Sequence, residues 1–237
     1  MPALDARRER PGVKAMILAA GLGKRMRPLT DHTPKPLLRV GGKALLAWHI
    51  EALVAAGVRD LVINAAHLGE QVADFCGDGS QWGASIALSR EPEPLETAGG
   101  IQRALPLLGD APFLVVNGDV WTDYPYAQLN RQVVAPGAAH LVLVDNPPQH
   151  PEGDFRLVAG QVLEREEGSP GLTFAGLALY CPAFFAGLAP GKAALLPLFK
   201  AAIAEGRLTG QHYRGQWHDI GTPQRLAALD AALTHCG

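Results

Sequence analysis

Apolar runs of strand length alternate with stretches of helical periodicity along the first 145 residues. Residues 15–19 form an apolar run read as the first strand, followed by a Gly-, Pro- and Lys-rich loop to about Lys43. Leu45, Trp48, Ala52, Leu53 and Ala56 then recur at helical spacing, which predicts a helix over 44–56 stopped by Gly57. Further strands are expected at 61–64, 85–88, 113–117 and 140–145, with a short helix at 67–75 and another opening near Gly99 and running to 108. Strands alternating with helices predict a mostly parallel sheet with right-handed crossovers. Beyond about 150 the rhythm changes. Residues 154–158, 161–163 and 173–180 read as hairpin-like strands, and 193–205 as a helix closed by Gly206. A strand pair, 208–213 with 217–220, precedes a last helix. Thr222 is its N-cap, Pro223 its first residue, and it runs to about 233. The expected architecture is α/β, a Rossmann-like core with a mostly parallel mixed sheet and a smaller antiparallel lobe facing the substrate.

Composition narrows the class. The chain is 48% hydrophobic and 19% charged, which is globular. A formal net charge of -2 offers no basic excess for nucleic acid. No apolar run reaches membrane-spanning length, and the longest candidate, 182–204, is broken by Pro190, Gly191, Lys192 and Pro197. Three widely spaced cysteines, 76, 181 and 236, suit a reducing cytoplasm. Residues 1–13 read as a mobile polar extension ending at Pro11-Gly12. Its arginines precede a short apolar stretch that only loosely imitates a signal peptide, because it runs into Lys24 and Arg25. Residues 14–237 are expected to form one domain, acting as a monomer without nucleic-acid or membrane partners. No repeats are present. Gly 27 and Pro 19 make the chain turn-rich, and many of them cluster at 21–42 and 92–100.

The first cluster carries chemistry. A strand ending in Gly21-Leu22-Gly23 brings backbone N–H groups within reach of phosphates, with Lys24, Arg25 and Arg27 adding charge. It is not a dinucleotide fingerprint, because Met26 stands where a third Gly or Ala is needed and the second strand ends in Asn64 rather than an acid. Nor is it a P-loop. Lys35, locked between Pro34 and Pro36, has more rigidity than solvation requires, though an exposed lysine in a proline turn is the plainer alternative.

Two aspartates stand out at strands: Asp119 after the apolar run 113–117, and Asp219 on the short strand 217–220 just before the capped last helix. Each is either a hard-oxygen ligand for Mg²⁺ or an ordinary turn acid. The stretch from Glu93 to Gly100 is Gly-rich and opens a helix, so its backbone either reads a base edge or is simply a helix start. Asp154 alone reads as a turn acid. His32, His67, His140 and His212 show no metal spacing. Trp48, Trp82 and Phe113 read as core. Trp121 and Trp217, two residues from the two aspartates, stand between core packing and a site wall.

Leu18-Ala-Ala-Gly21-Leu-Gly23-Lys-Arg25-Met26-Arg-Pro28-Leu29-Thr30, then Pro34-Lys35-Pro36-Leu37, resembles the opening signature of the sugar-nucleotidyltransferase family. Gly118-Asp119 and Asp219-Ile220-Gly221-Thr222 resemble its two metal-binding strings. The likeness covers roughly residues 14–233. It implies a nucleotide-binding α/β fold, with Gly21, Gly23, Lys24 and Arg25 at the triphosphate and Arg25 and Lys35 as the catalytic cations. It also implies one Mg²⁺ shared by Asp119 and Asp219, and attack by a sugar 1-phosphate with loss of pyrophosphate. Its base-contacting loop falls on Glu96, Thr97 and Gly99, with Glu96 where Gly or Gln is common. The Leu95-Glu96-Thr97-Ala98-Gly99-Gly100 form is similar to the N-acetylmuramate α-1-phosphate uridylyltransferase subgroup. That likeness implies UTP and N-acetylmuramate 1-phosphate as substrates and places Asn117 and Asp154 at the sugar phosphate. At 164–167 and 173–176 the chain departs from the hexose members, which sets glucose and mannose phosphates behind. The remaining alternatives are another sugar or polyol phosphate with UTP, GTP, dTTP or CTP, and a catalytically silent nucleotide-sugar sensor.

Overall fold

A computed structural model describes residues 12–235; most of the expected 1–13 extension, and Cys236, lie outside the described residues. In chain order the strands are β1 (Ala15–Leu18), β2 (Arg39–Val40), β3 (Lys43–Ala44), β4 (Asp60–Ala65), β5 (Ser85–Arg90), β6 (Phe113–Asn117) and β7 (Val120–Thr122). They continue as β8 (Ala139–Val144), β9 (Phe155–Val158), β10 (Gln161–Glu164), β11 (Thr173–Tyr180), β12 (Leu208–Tyr213) and β13 (Trp217–Asp219). The helices are α1 (Leu45–Ala55), α2 (Gly69–Cys76), α3 (Glu96–Leu108), α4 (Tyr126–Asn130), α5 (Leu196–Ala204) and α6 (Pro223–His235).

Nine strands form one sheet in the order β5-β4-β1-β6-β11-β8-β12-β10-β9. Pairing is parallel from β5 through β6, antiparallel on both sides of β11, parallel between β8 and β12, then antiparallel to the edge. The strands β1, β4 and β6 read as continuous apolar runs because both their faces are covered. Alternate residues of each strand go to opposite faces. Ile17, Ile63 and Val116 pack with Leu46, Ile50 and Leu53 of α1 and Val72 of α2. Met16, Val62 and Val115 pack with Ile101 and Ala104 of α3 and Phe199 of α5. A third, smaller cluster joins Met26, Leu38 and Leu45 to Trp121, Ile220 and Leu229.

Four expectations are corrected. Residues 208–213 and 217–220 do not pair with each other: β12 runs parallel to β8, and β13 pairs antiparallel with β7. The three-residue β7 and the five-residue α4 are too short to leave a periodic signal. The 173–180 strand is no hairpin arm but the eight-residue centre of the sheet, buried throughout most of its length. Helix α3 opens three residues before Gly99, while α5 opens at Leu196 because Ala193 bridges to the 95–99 segment instead. The expected antiparallel portion is the β9–β10 hairpin, continuous with the main sheet, and the β7–β13 ribbon. The capped start of α6 is present, with the Arg225 N–H donating to the Thr222 hydroxyl at 3.4 Å. Among the described residues Cys76 and Cys181 are free, and burial pushes the Cys76 thiol up to about 12.

His49 on α1 locks the ribbon from beneath. Its Nε2 lies 2.8 Å from the Val120 carbonyl and its Nδ1 3.0 Å from the Tyr126 hydroxyl. A carbonyl only accepts, so Nε2 carries the proton and Nδ1 accepts from the tyrosine. Burial drives the imidazole down to about 4, against opposing pulls from the Val120 bond and the Asp119 charge. The unfolded chain then binds the extra proton below about pH 6.5, so stability present above that pH is lost as pH falls toward 4. From pH 7 to 5 the unfolding free energy in urea should drop by about 2 kcal/mol through this residue alone. In His49→Gln that increment should vanish, and an unchanged pH dependence would rule His49 out as its source.

Candidate active site

The carboxyl ends of β1, β4, β5 and β6 open on one side of the sheet, at the point where the chain order reverses across β1. Open α/β sheets place ligands there. The cleft encloses about 680 Å³, counting its open mouth. It gathers Gly21, Lys35, Glu96, Thr97, Asn117 and Asp119 of the expected site, which are drawn from separate parts of the chain. Gly23, Lys24 and Arg25 follow on the turn that leaves the cleft. Lys24 and Arg25 are exposed and, among the described residues, in no ion pair. Gly99, Asp154 and Asp219 do not line the cleft.

Gly23 makes the turn possible at φ 59°. The space where its side chain would be is filled by Thr30 Cγ2, 2.8 Å away, and Lys35 Cβ, 3.3 Å away. Its carbonyl accepts from the Thr30 hydroxyl and the Met26 N–H. The Pro34-Lys35-Pro36 turn seats against this glycine, and Lys35 is only 7% exposed. Its Nζ donates to Asp119 Oδ2 at 2.6 Å. Asp119 stays 41% exposed toward the cleft, so one face of the carboxylate is free for a second cation.

Asp219 comes to the Asp119 backbone from the other end of the chain. In the β7–β13 ribbon Asp219 pairs with Val120, and the Ile220 N–H donates to the Asp119 carbonyl at 2.9 Å. The Asp219 carboxylate accepts from Arg225 of α6. It lines a separate depression with Trp217, His218, Tyr213 and Asp145. Each aspartate is thus held by one cation. Hard carboxylate oxygens with open positions are the donor type that Mg²⁺ takes, few from protein with water and phosphate completing the shell.

Asn117 closes the cleft beside a β-bulge. The β11–β8 register shifts between Phe174 and Ala178, and Gly176 in that interval has φ 75°, with the Asn117 side chain 2.6 Å from where its Cβ would lie. Trp217 Nε1 fixes the bulge by donating to the Ala175 carbonyl at 2.9 Å. Trp121 is core rather than wall, meeting Trp48 edge-on at 6.0 Å. Trp217 walls the side depression.

The 93–100 segment is shaped by its neighbours. Ala98 and Gly99 N–H groups both donate to the Ala193 carbonyl, and a Cβ on Gly99 would meet the Gly191 carbonyl at 2.2 Å. Gly99 therefore packs α3 against the 190–193 strap, and its N–H is spent there. Glu96 holds φ 59°, a conformation costing a non-glycine residue about 1 kcal/mol. Its exposed ion pair with Lys192, at 3.4 Å, returns about 0.5 kcal/mol. Asp154 accepts from His150 at 2.9 Å and from the Phe174 N–H at 2.8 Å, so it organises the turn before β9 while keeping further acceptor positions. Sequence reasoning missed two cleft residues, Asn64 and Glu91, both buried and polar. A polar residue at the end of each of two neighbouring strands was the available signal.

The Nucleotidyl transferase family matches residues 14–165. The chain belongs to that family. It is 50% identical over 225 residues to an N-acetylmuramate alpha-1-phosphate uridylyltransferase from Neisseria meningitidis serogroup B, covering 92% of this chain and 97% of the relative. It is 36% identical to the protein of that name from Caulobacter vibrioides, covering 92% and 96%. In fold it is similar to a Bacillus anthracis chain named for glucose-1-phosphate thymidylyltransferase, with a TM-score of 0.83, 21% identity, and 94% and 96% of the two chains covered. This nucleotidyltransferase is an enzyme of the sugar-1-phosphate class. No helix among its described residues is long and apolar enough to cross a membrane.

The bulge offers a paired test. Gly176→Ala meets both a left-handed φ and the Asn117 side chain, whereas Gly168→Ala at φ 77° has nothing within 4 Å. In urea Gly176→Ala should lose at least about 2 kcal/mol and Gly168→Ala about 1. Equal losses would mean that Asn117 is not held by the bulge.

Proposed function

We propose that this enzyme transfers a uridylyl group from UTP to N-acetylmuramate α-1-phosphate, releasing pyrophosphate and forming UDP-N-acetylmuramate. The observation that carries this reading is the meeting of Lys35 and Asp119 on a strand-end cleft, in a chain half identical to a uridylyltransferase of that name over nearly its whole length. The 14–237 segment acts on this reading as a single catalytic domain. A cytoplasmic setting and a role in recycling cell-wall sugar belong to the same reading.

The triphosphate lies along the backbone of Gly21 and Gly23, with Lys24 and Arg25 as counter-ions. Glu96 and Thr97 face the base. Asn117 and the turn held by Asp154 face the sugar phosphate. A sugar phosphate oxygen attacks the α-phosphorus, a new phosphorus–oxygen bond forms, and the bond to the β-phosphate oxygen breaks. No protein nucleophile is needed. Lys35, buried beside Asp119 on the cleft wall, would stabilise the charge that gathers on the α-phosphate in the transition state. Asp119 and Asp219 would hold Mg²⁺, which supplies charge neutralisation and alignment of the two phosphates.

Pyrophosphate release across a matrix of triphosphates and sugar phosphates tests this. UTP with N-acetylmuramate 1-phosphate should turn over fastest, and good turnover of glucose or mannose 1-phosphate with none of the muramate would overturn it. Lys35→Ala should lower kcat by at least about 100-fold. Asp119→Asn and Asp219→Asn should each abolish Mg²⁺-dependent release, and unchanged rates would remove the metal assignment.

A further inference from the structure

Asn64 and Glu91 lie on the floor of the cleft, 3% and 5% exposed. Asn64 sits near the end of β4, opposite Leu18. Its Oδ1 accepts from the Ala19 N–H at 2.7 Å, at the start of the glycine loop. Its Nδ2 donates to Glu91 Oε1 at 2.7 Å. The other oxygen of Glu91 accepts from the Leu95 N–H at 3.0 Å, at the start of the base-side loop. Three hydrogen bonds therefore run unbroken across the floor from one loop to the other.

The surroundings are fitted to this relay. A Cβ on Gly100 would lie 2.7 Å from Glu91 Oε1 and 3.0 Å from Asn64 Nδ2, so α3 carries glycine where the relay passes. No cation neutralises Glu91 among the described residues; the adjacent Arg90 is turned to Glu70. A carboxylate buried among neutral donors is a poor source of stability compared with an apolar pair of the same shape. Its return is orientation: every donor and acceptor along the line has one assigned partner.

We infer that Asn64 and Glu91 are positioning residues that fix the spacing and orientation of the two loops before a ligand arrives. On the reading proposed above, that ligand is a nucleoside triphosphate whose phosphates rest on one loop and whose base rests on the other. Misaligned loops would each still bind their half, but would no longer bind both at once at full strength.

The polarity of the relay provides the test. Asn64→Asp sets carboxylate against carboxylate. Glu91→Gln leaves one acceptor for two donors, the Asn64 amide and the Leu95 N–H. In the double variant, Asn64→Asp with Glu91→Gln, the order reverses but closes. The new carboxylate at position 64 accepts from the Ala19 N–H and from the new side-chain amide at position 91, whose carbonyl oxygen accepts from the Leu95 N–H. Dissociation constants are measured by calorimetry with magnesium present, for tripolyphosphate and for the triphosphate that the wild type binds tightest. Each single variant should weaken nucleotide binding by about tenfold or more, leave tripolyphosphate unchanged, and be restored to within about threefold by the double variant. Singles that match the wild type, or a double no better than the singles, would overturn the relay. If both singles fail to fold while the double folds, the relay is a folding element only and the positioning role is wrong. If the tightest nucleotide is not UTP, the uridylyl reading fails while the relay is still decided by the same series.

Discussion

A buried lysine must find an anion, and much of this active site follows from where Lys35 finds one. The ammonium lies almost out of solvent between two prolines, where it would be costly to leave uncompensated. Asp119, on the loop leaving β6, is its partner. That contact brings the 34–37 turn onto the end of a strand distant in the chain. The turn in turn presses on Gly23, and the glycine loop is thereby held against β1 rather than splayed into solvent. Beneath it, Met26 and Leu38 pack with Trp121, Ile220 and Leu229, so the glycine loop has a small core of its own.

The two halves of the sheet contribute different things. The parallel half, β5 to β6, ends four strands at one level and so makes a cleft with a floor of backbone and short side chains. The antiparallel insertion of β11 beside β6 breaks that regularity. Its bulge at Gly176 presses on Asn117 and reaches the β13 ribbon through Trp217. Bulges beside active sites re-aim side chains in this way. The ribbon carries Asp219 to the neighbourhood of Asp119, and His49 supports it from the helix side. Lys35 and Arg225 each hold one of the two acids in place.

Much of the site was legible in the chain because its geometry is local. Gly21-Leu22-Gly23, Pro34-Lys35-Pro36 and the Thr222-Pro223 helix start each dictate their own backbone within a few residues. The parallel half of the fold was legible for a related reason: strands covered on both faces show as unbroken apolar runs. The cleft roles of Glu91 and Asn64 were not legible, because a lone polar residue at a strand end has many uses and only its partners distinguish them. Gly99 packs closely on the 190–193 strap, a long-range contact that its chain neighbours do not announce.

The sequence by itself determined the longer elements, their turns, and the chemical types available: a clamped lysine, two carboxylates at the ends of apolar strands, and a glycine loop. These depend on dihedral preference and on periodicity, which act over a few residues. Only the tertiary structure decided the pairings. That β13 joins β7 rather than β12, that β11 lies between β6 and β8, and that Asn64 and Glu91 bridge two loops all depend on contacts between distant segments. Such contacts are selected by which faces remain uncovered once the core has formed, and no short stretch of the chain contains that information.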